Sequence, residues 1–372
     1  MAKIALISNR DNNFYNFRSE LILKLVELGH DVTLVCPYGK KIDFFTERGC
    51  SFIDIDLDRR GKNAFKDAKL IANYYRLLKG VKPDVVLTYT TKSSVYGGMC
   101  CHWLKIPFIV NNAGLVENNN KLLEFILKIL YRIGFKGASC MMYQNCRERD
   151  YVNELLKNKV HYRDIPGSGV NLDAFSYQPY PVDDNPIRFN FVGRIVGFKG
   201  IGEFLECAKR IKSKYSNTEF VIYGSFVDDD GGYKDQIEIL EKNGIVKYGG
   251  VQLDMKPYIA KAHAVIHSSY YEGMTNVILE HAAIGRPAIA SDIPGCREGI
   301  DNGVSGYTFP VQDVDKLAEV VERFVQMEHS DKEQMGRKAR VKMEREFDRN
   351  IVTNIYIEEI DRILADKKLQ KC

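Results

Sequence analysis

The sequence predicts an α/β protein of two Rossmann-like, doubly wound domains, and three observations predict it. At 372 residues the chain exceeds what one hydrophobic core usually serves and suits two domains of about 150 to 200 residues each. Short β-branched and apolar runs alternate throughout with longer amphipathic segments, the pattern of parallel strands joined by crossover helices. Ser176–Pro186, reading SYQPYPVDDNP, is rich in Pro and Asp and lacks any period, as a linker does.

Taken in order, strands are expected near Ile4–Ser8, Val32–Cys36, Phe52–Leu57, Val85–Tyr89, Phe108–Asn112 and Ser139–Asn145, in a first domain over residues 1–178. A second set near Ile187–Val192, Glu219–Tyr223, Val246–Gly249, Ala264–Ser268 and Ala288–Ser291 makes a second domain over 187–347. Residues 348–372 follow as a helix with Ile351, Ile355, Ile360 and Ile363 available for burial; it either closes the second domain or crosses back to brace the first. Lys121–Lys136, KLLEFILKILYRIGFK, is strongly apolar with basic residues at intervals and a single acid. That is how a helix resting in a membrane interface is written, and equally a helix packed on the sheet; both readings stay open.

An apolar content of 45% excludes a disordered chain, and no run approaches the ~20 apolar residues of a spanning helix. The start, MAKIALIS, is a short strand without the core or cleavage site of a signal peptide, so a cytoplasmic protein is expected. Nine cysteines with no CxxC pair fit reduced thiols better than disulfides or zinc. Charge is uneven: residues 1–180 hold 26 Lys and Arg against 18 Asp and Glu, and the remainder 27 against 31. A basic first half favours an anionic partner, such as a lipid headgroup at the cytoplasmic face of a membrane or a diphosphate-bearing acceptor. No recognition motif supports nucleic acid.

The stretch with the most chemistry is Tyr271–Pro287, YEGMTNVILEHAAIGRP. A strand ending near Ser268 enters a glycine turn, Thr275 or Asn276 caps a helix, and Gly285 and Pro287 stop it. Free amides and the positive helix end then point out of the carboxyl edge of a parallel sheet, where a phosphate binds well. Glu272 precedes the helix and Glu280 lies two turns into it, spaced to accept hydrogen bonds from sugar and ribose hydroxyls. Upstream, Phe191-Val192-Gly193-Arg194 and Gly197-Phe198-Lys199-Gly200 set fixed cations on glycine-flanked turns after another strand.

These residues resemble the retaining glycosyltransferases of the GT-B fold that carry an E-x7-E motif, in particular bacterial enzymes of capsule, exopolysaccharide and lipid-linked oligosaccharide synthesis. The resemblance spans nearly the whole chain and is strongest from Asn190 to Phe309. It implies two domains facing a central cleft, a nucleotide-sugar donor, UDP-linked by default, on the second domain, a glycan or lipid-linked saccharide acceptor on the first, and neither cofactor nor metal. It further implies that Arg194 and Lys199 bind the donor diphosphate, that Glu272 lies near the donor sugar, and that Glu280 binds the ribose. Gly193, Gly273, Met274, Thr275 and Asn276 would run along the donor.

In the first half, Asn16 and Arg18 follow the first strand, and Lys92 follows the Val85–Tyr89 strand; these are the acceptor candidates, as is the Asn112–Leu115 turn. The glycine-rich loop usual at the first turn is missing. His263, His267 and His281 lack metal-site spacing and read as core or cap residues. Asp228–Gly232 lacks the frame of a calcium loop and reads as a solvated loop. A sugar-nucleotide epimerase of similar architecture and a non-catalytic sugar-nucleotide-binding protein are the alternative functions.

Overall fold

The computed structural model describes residues 1–57, 63–111, 121–157, 159–227 and 231–369, and the chain folds as two compact units. The first comprises Met1–Ser168 together with Asn350–Cys372, the second Gly169–Arg349. The Asn112–Leu115 turn and Asp228–Asp230 lie outside the described residues.

In the first unit, β1 (Lys3–Ile7), β2 (Asp31–Cys36), β3 (Ser51–Asp54), β4 (Val85–Tyr89), β5 (Phe108–Asn111), β6 (Cys140–Tyr143) and β7 (Tyr162–Asp164) form one parallel sheet in the order 3-2-1-4-5-6-7. The central strands β1 and β4 are almost wholly buried, because helices cover both faces of the sheet. In the second unit, β8 (Ile187–Val192), β9 (Thr218–Tyr223), β10 (Lys247–Gly250), β11 (Ala264–His267), β12 (Ala288–Ser291) and β13 (Gly306–Phe309) form a parallel sheet in the order 10-9-8-11-12-13. Each sheet starts at its middle, grows to one side, then returns to grow on the other. That return is the doubly wound pattern, and it creates one reversal point per unit.

Two strands escape the sequence reading. Strand β7 is three residues of mixed polarity at a sheet edge, and β13 is a four-residue run with no flanking apolar pattern. The boundary also differs. Residues 169–186, assigned from sequence to the first domain and its linker, belong to the second unit because Arg286 and Tyr180 hold them there. The Tyr180 hydroxyl donates to the His263 carbonyl at 2.8 Å, and the fully buried Arg286 guanidinium donates to the carbonyls of Gln178 (3.1 Å) and Pro179 (2.7 Å).

The last helix, Arg349–Leu369, joins the first unit from Asn350 onward. It buries Val352, Tyr356, Ile360 and Ile363 in the core beside β1 and β4. The Tyr356 hydroxyl accepts from Asn111 Nδ2 at 2.6 Å, and the buried Glu359 carboxylate takes Arg163 at 3.0 Å and Arg362 at 2.9 Å. The Lys121–Gly134 helix buries Tyr131, and Phe135 just beyond it, against the sheet, while Phe125, Ile126, Ile129 and Ile133 remain exposed. Among the described residues, no helix is long and apolar enough to cross a membrane.

Candidate active site

The reversal point of the second unit lies between β8 and β11, which pair directly through Ala264 with Phe189 and Val265 with Asn190. Their carboxyl ends deliver Gly193-Arg194 and Ser268–Thr275 to the same edge, the place where open α/β sheets bind ligands. Backbone contacts join the two loops. Tyr270 N–H donates to the Phe198 carbonyl at 2.9 Å, and Ser268 Oγ donates to the Gly200 carbonyl at 2.7 Å. Gly200 has a φ of +72°, and a Cβ there would lie 2.0 Å from the Ser268 carbonyl oxygen, so only glycine permits this approach. A third loop closes on the same spot: Thr275 N–H donates to the Gly295 carbonyl at 3.1 Å.

Within this frame the Lys199 Nζ lies 2.5 Å from Glu272 Oε1, and His267 Nε2 lies 2.9 Å from the same oxygen. The Phe198 ring stacks on Tyr271 at 5.1 Å. The exposed Arg194 guanidinium stands 5.2 Å from the Phe198 ring centre and the Lys199 ammonium 5.8 Å. Both cations therefore gather around one aromatic residue, beside a carboxylate three residues upstream of Thr275. Thr275 is the N-cap of the Asn276–Ile284 helix and makes no side-chain capping bond; Gly285, in the left-handed region, ends the helix. An anion at this edge meets two fixed cations and the positive end of a helix dipole.

The two glutamates differ in ionisation. Burial opposes charge on Glu272, but the hydrogen bond from His267 and the charge of Lys199 outweigh it and bring its carboxyl down to about 2. Burial pushes Glu280 up to about 7, against a smaller opposite pull from the Arg349 charge. The first is a permanent anion. The second changes charge near neutrality, and environments that push like groups apart in this way are one mark of a functional site.

Other sequence-derived candidates are placed less uniformly. Asn276 opens the helix and is half-buried, as is Gly273 before it, and Gly193 directly follows β8. The Met274 side chain, in contrast, is buried with Leu279, Ala283, Met343 and Phe347, so only its backbone can run along a ligand. In the first unit Asn16 is exposed. Arg18 is buried, its guanidinium 4.9 Å from the Tyr89 ring centre and 5.6 Å from that of Tyr356. Aromatic packing thus covers much of its charge. Lys92 is bound to Asp67 at 2.8 Å.

The three histidines are all buried and turn to different partners. His263 Nε2 meets the Asp183 carbonyl, His281 Nδ1 the Val277 carbonyl, and His267 the Glu272 carboxylate. Burial holds His281 down at about 3, so it is neutral. The sequence reading missed His267 as a site residue, because an alternating strand shows a core histidine and one aimed at a carboxylate alike. It also missed Thr90, at the carboxyl end of β4, whose φ of +71° and ψ of 151° are strained for a β-branched residue. Nothing in residue type signals that backbone state.

Comparison with known proteins gives a consistent picture. A family model described as glycosyl transferases group 1 matches residues 186–327, and one described as glycosyl transferase 4-like matches residues 3–145. The N,N'-diacetylbacillosaminyl-diphospho-undecaprenol alpha-1,3-N-acetylgalactosaminyltransferase of Campylobacter jejuni is 24% identical over 98% of this chain and 100% of its own. The UDP-Gal:alpha-D-GlcNAc-diphosphoundecaprenol alpha-1,3-galactosyltransferase of Escherichia coli is 23% identical over 79% of both chains. Among solved structures, a glycosyltransferase from Rickettsia africae superposes with a TM-score of 0.77 at 17% identity, covering 98% of each chain. Anabaena HepE in complex with UDP gives 0.77 at 14% identity, covering 97% of this chain and 100% of its own.

Proposed function

The chain belongs to the group 1 glycosyltransferases of the GT-B fold, and on that premise we propose that it moves a sugar from a UDP-sugar held by its second unit to a lipid-linked saccharide, with retention of configuration and without a metal ion. The observation that carries this reading is the gathering of Arg194 and Lys199 around Phe198, beside Glu272 and the amino end of the Asn276–Ile284 helix. A departing nucleoside diphosphate gains negative charge, and these groups neutralise it in place, as preorganised donors do in other sites. Retention follows from the family resemblance; the acceptor class follows from relatives whose names specify diphospho-undecaprenol carriers.

In the free protein Lys199 is paired with Glu272. When the diphosphate arrives, Lys199 turns to it, and Glu272, still held by His267, is left as an acceptor for a donor-sugar hydroxyl. The acceptor hydroxyl then attacks the anomeric carbon as the carbon–oxygen bond to the diphosphate breaks, and a diphosphate oxygen takes the proton. No enzyme nucleophile is needed. Glu280 accepts from the ribose hydroxyls. With a basic first half and a lipid-linked acceptor, the enzyme works in peripheral contact with an anionic membrane, at its cytoplasmic face.

The test is a screen of radiolabelled UDP-galactose and UDP-N-acetylgalactosamine against lipid extract of the source cells. Label is expected in an organic-soluble product only when protein and extract are both present. Lys199→Ala and Arg194→Ala should each lower turnover ~100-fold, which corresponds to ~3 kcal/mol of transition-state stabilisation. An isomerised sugar nucleotide formed without extract, or near-normal turnover in both variants, would reject the proposal.

A further inference from the structure

Among the described residues, one set of three metal-ligating side chains converges in the first unit: Cys140 at the start of β6, His161 just ahead of β7, and Glu359 on the Arg349–Leu369 helix. Their sulfur, imidazole nitrogen and carboxylate oxygen all lie within 4.8 Å of one another. His161 Nε2 stands 3.1 Å from Glu359 Oε2 and 3.2 Å from Oε1. In a tetrahedral zinc site, bonds of about 2.0 to 2.3 Å put the donor atoms about 3.3 to 3.6 Å apart. The nitrogen and the oxygens are close to that spacing, and the sulfur has about 1 Å at most to close.

The surroundings fit a dication. Cys140 and Glu359 are buried, while the His161 side chain is 47% exposed, so an ion can enter from solvent and keep a water as its fourth ligand. Arg163 donates to Glu359 Oε1 at 3.0 Å and Arg362 to Oε2 at 2.9 Å, which orients the carboxylate and leaves it lone pairs for further partners. Each arginine is shared with a second carboxylate, Arg163 with Glu358 at 3.0 Å and Arg362 with Asp366 at 3.3 Å. Three carboxylates thus face two guanidiniums, a balance of −1. A dication that displaces the Cys140 thiol proton to solvent adds +1 and brings the group to neutrality.

We propose that Cys140, His161 and Glu359 bind a zinc ion that fastens the last helix to β6 and to the chain entering β7. Sulfur, nitrogen and oxygen together suit zinc; calcium and magnesium take oxygen ligands. With three protein ligands and an open fourth position the ion binds reversibly, and occupancy stabilises the first unit by mass action. The site takes no part in sugar transfer. Cys140 begins β6 and His161 precedes β7, at the amino edge of the parallel sheet, whereas Asn16 and Lys92 follow β1 and β4 at its carboxyl edge. The transfer proposed above remains free of metal, and this inference stands independently of the donor site. No sequence spacing announces it, because Glu359 lies 198 residues beyond His161.

Full-length protein stripped with a chelator is titrated with Co2+, which occupies zinc sites and reports a thiolate ligand by a charge-transfer band in the near ultraviolet. A saturable band is expected, and Zn2+ should abolish it by displacement. Cys140→Ala should remove the band, and His161→Ala, at a solvent-facing side chain, should weaken zinc binding by more than ~100-fold, the upper end for losing an outer-shell partner. Cys146→Ala, which removes an exposed thiol, should change neither. Zinc at ~100 times its Kd should raise the thermal midpoint of the first unit by roughly 5 °C or more in the wild type. UDP binding should be the same with and without zinc, so this test and that of the donor site fail separately. No band, a band that survives in Cys140→Ala, or equal zinc affinity and thermal shift in wild type and His161→Ala would overturn the proposal.

Discussion

Glu272 and Glu280 are separated by seven residues and by a large difference in proton affinity. Glu272 gives its Oε1 to both Lys199 and His267 and stays ionised throughout the physiological range. Glu280 is governed instead by burial, which outweighs the opposite pull of the Arg349 charge and sets it near 7. Hydroxyls of a ribose donate more strongly to an ionised carboxylate than to a neutral carboxyl. Affinity for UDP-galactose, whose phosphates do not change charge over this range, should therefore fall as pH drops below about 7, by up to ~10-fold per unit. The linkage to stability runs the other way. Folded Glu280 holds its proton above the unfolded value of 4.5, so its contribution favours the folded state at acidic pH and is lost as pH rises through about 7. Titration calorimetry of wild type and Glu280→Gln across this range checks the assignment. A wild-type pH profile that matches the variant's would remove Glu280 from the ribose role.

Single elements explain why the site holds its shape. The helix that opens at Asn276 ends at Gly285, and the next residue, Arg286, extends fully buried among carbonyls of Gln178, Pro179, Ala260, Ile284 and Gly285. Among the described residues no carboxylate pairs with it, and burial lowers its pKa to about 10. Five carbonyl acceptors and the Tyr180 ring, 5.3 Å from the guanidinium carbon, stand in for a counter-ion. The arrangement ties residues 178–180 to the end of the helix and so holds that segment in the second unit. Arg286→Ala leaves several of these carbonyls buried without a donor, at a cost of about 3 kcal/mol. For a unit of this size the melting temperature should drop by roughly 10 °C, read by scanning calorimetry. A shift below about 2 °C would show that water replaces the guanidinium without loss.

For the whole molecule, the last helix matters most. Val352, Tyr356, Ile360 and Ile363 are 2%, 1%, 1% and 3% exposed in the first unit's core, and burying each contributes about 2 kcal/mol. Their sum of ~8 kcal/mol is comparable with the entire stability of a typical domain. A chain ending at Arg349 should therefore lose the cooperative unfolding of the first unit. Two transitions in the full chain and one in the truncated protein would bear this out; two of unchanged midpoint in both would contradict it.

Much of this was legible in the residues themselves. Strands such as β4 and β8 stand out because a buried parallel strand is a continuous apolar run between polar turns, and the frame around Glu272 and Glu280 because caps, glycines and stops are local chemistry. Short range was enough there. Strand β7 stayed hidden because sheet edges need no apolar run, the packing of Arg18 against Tyr89 and Tyr356 is not written in a loop arginine, and His267 gave no sign of its carboxylate. The sequence by itself determined the class of fold, the two strand sets and the charged residues available for a donor. Only the tertiary structure decided that β8 lies against β11, a pairing across some seventy residues that brings Lys199 to Glu272. The physical reason is that local propensity acts over a few residues, whereas strand neighbours are chosen by which faces bury the most surface when the whole sheet assembles.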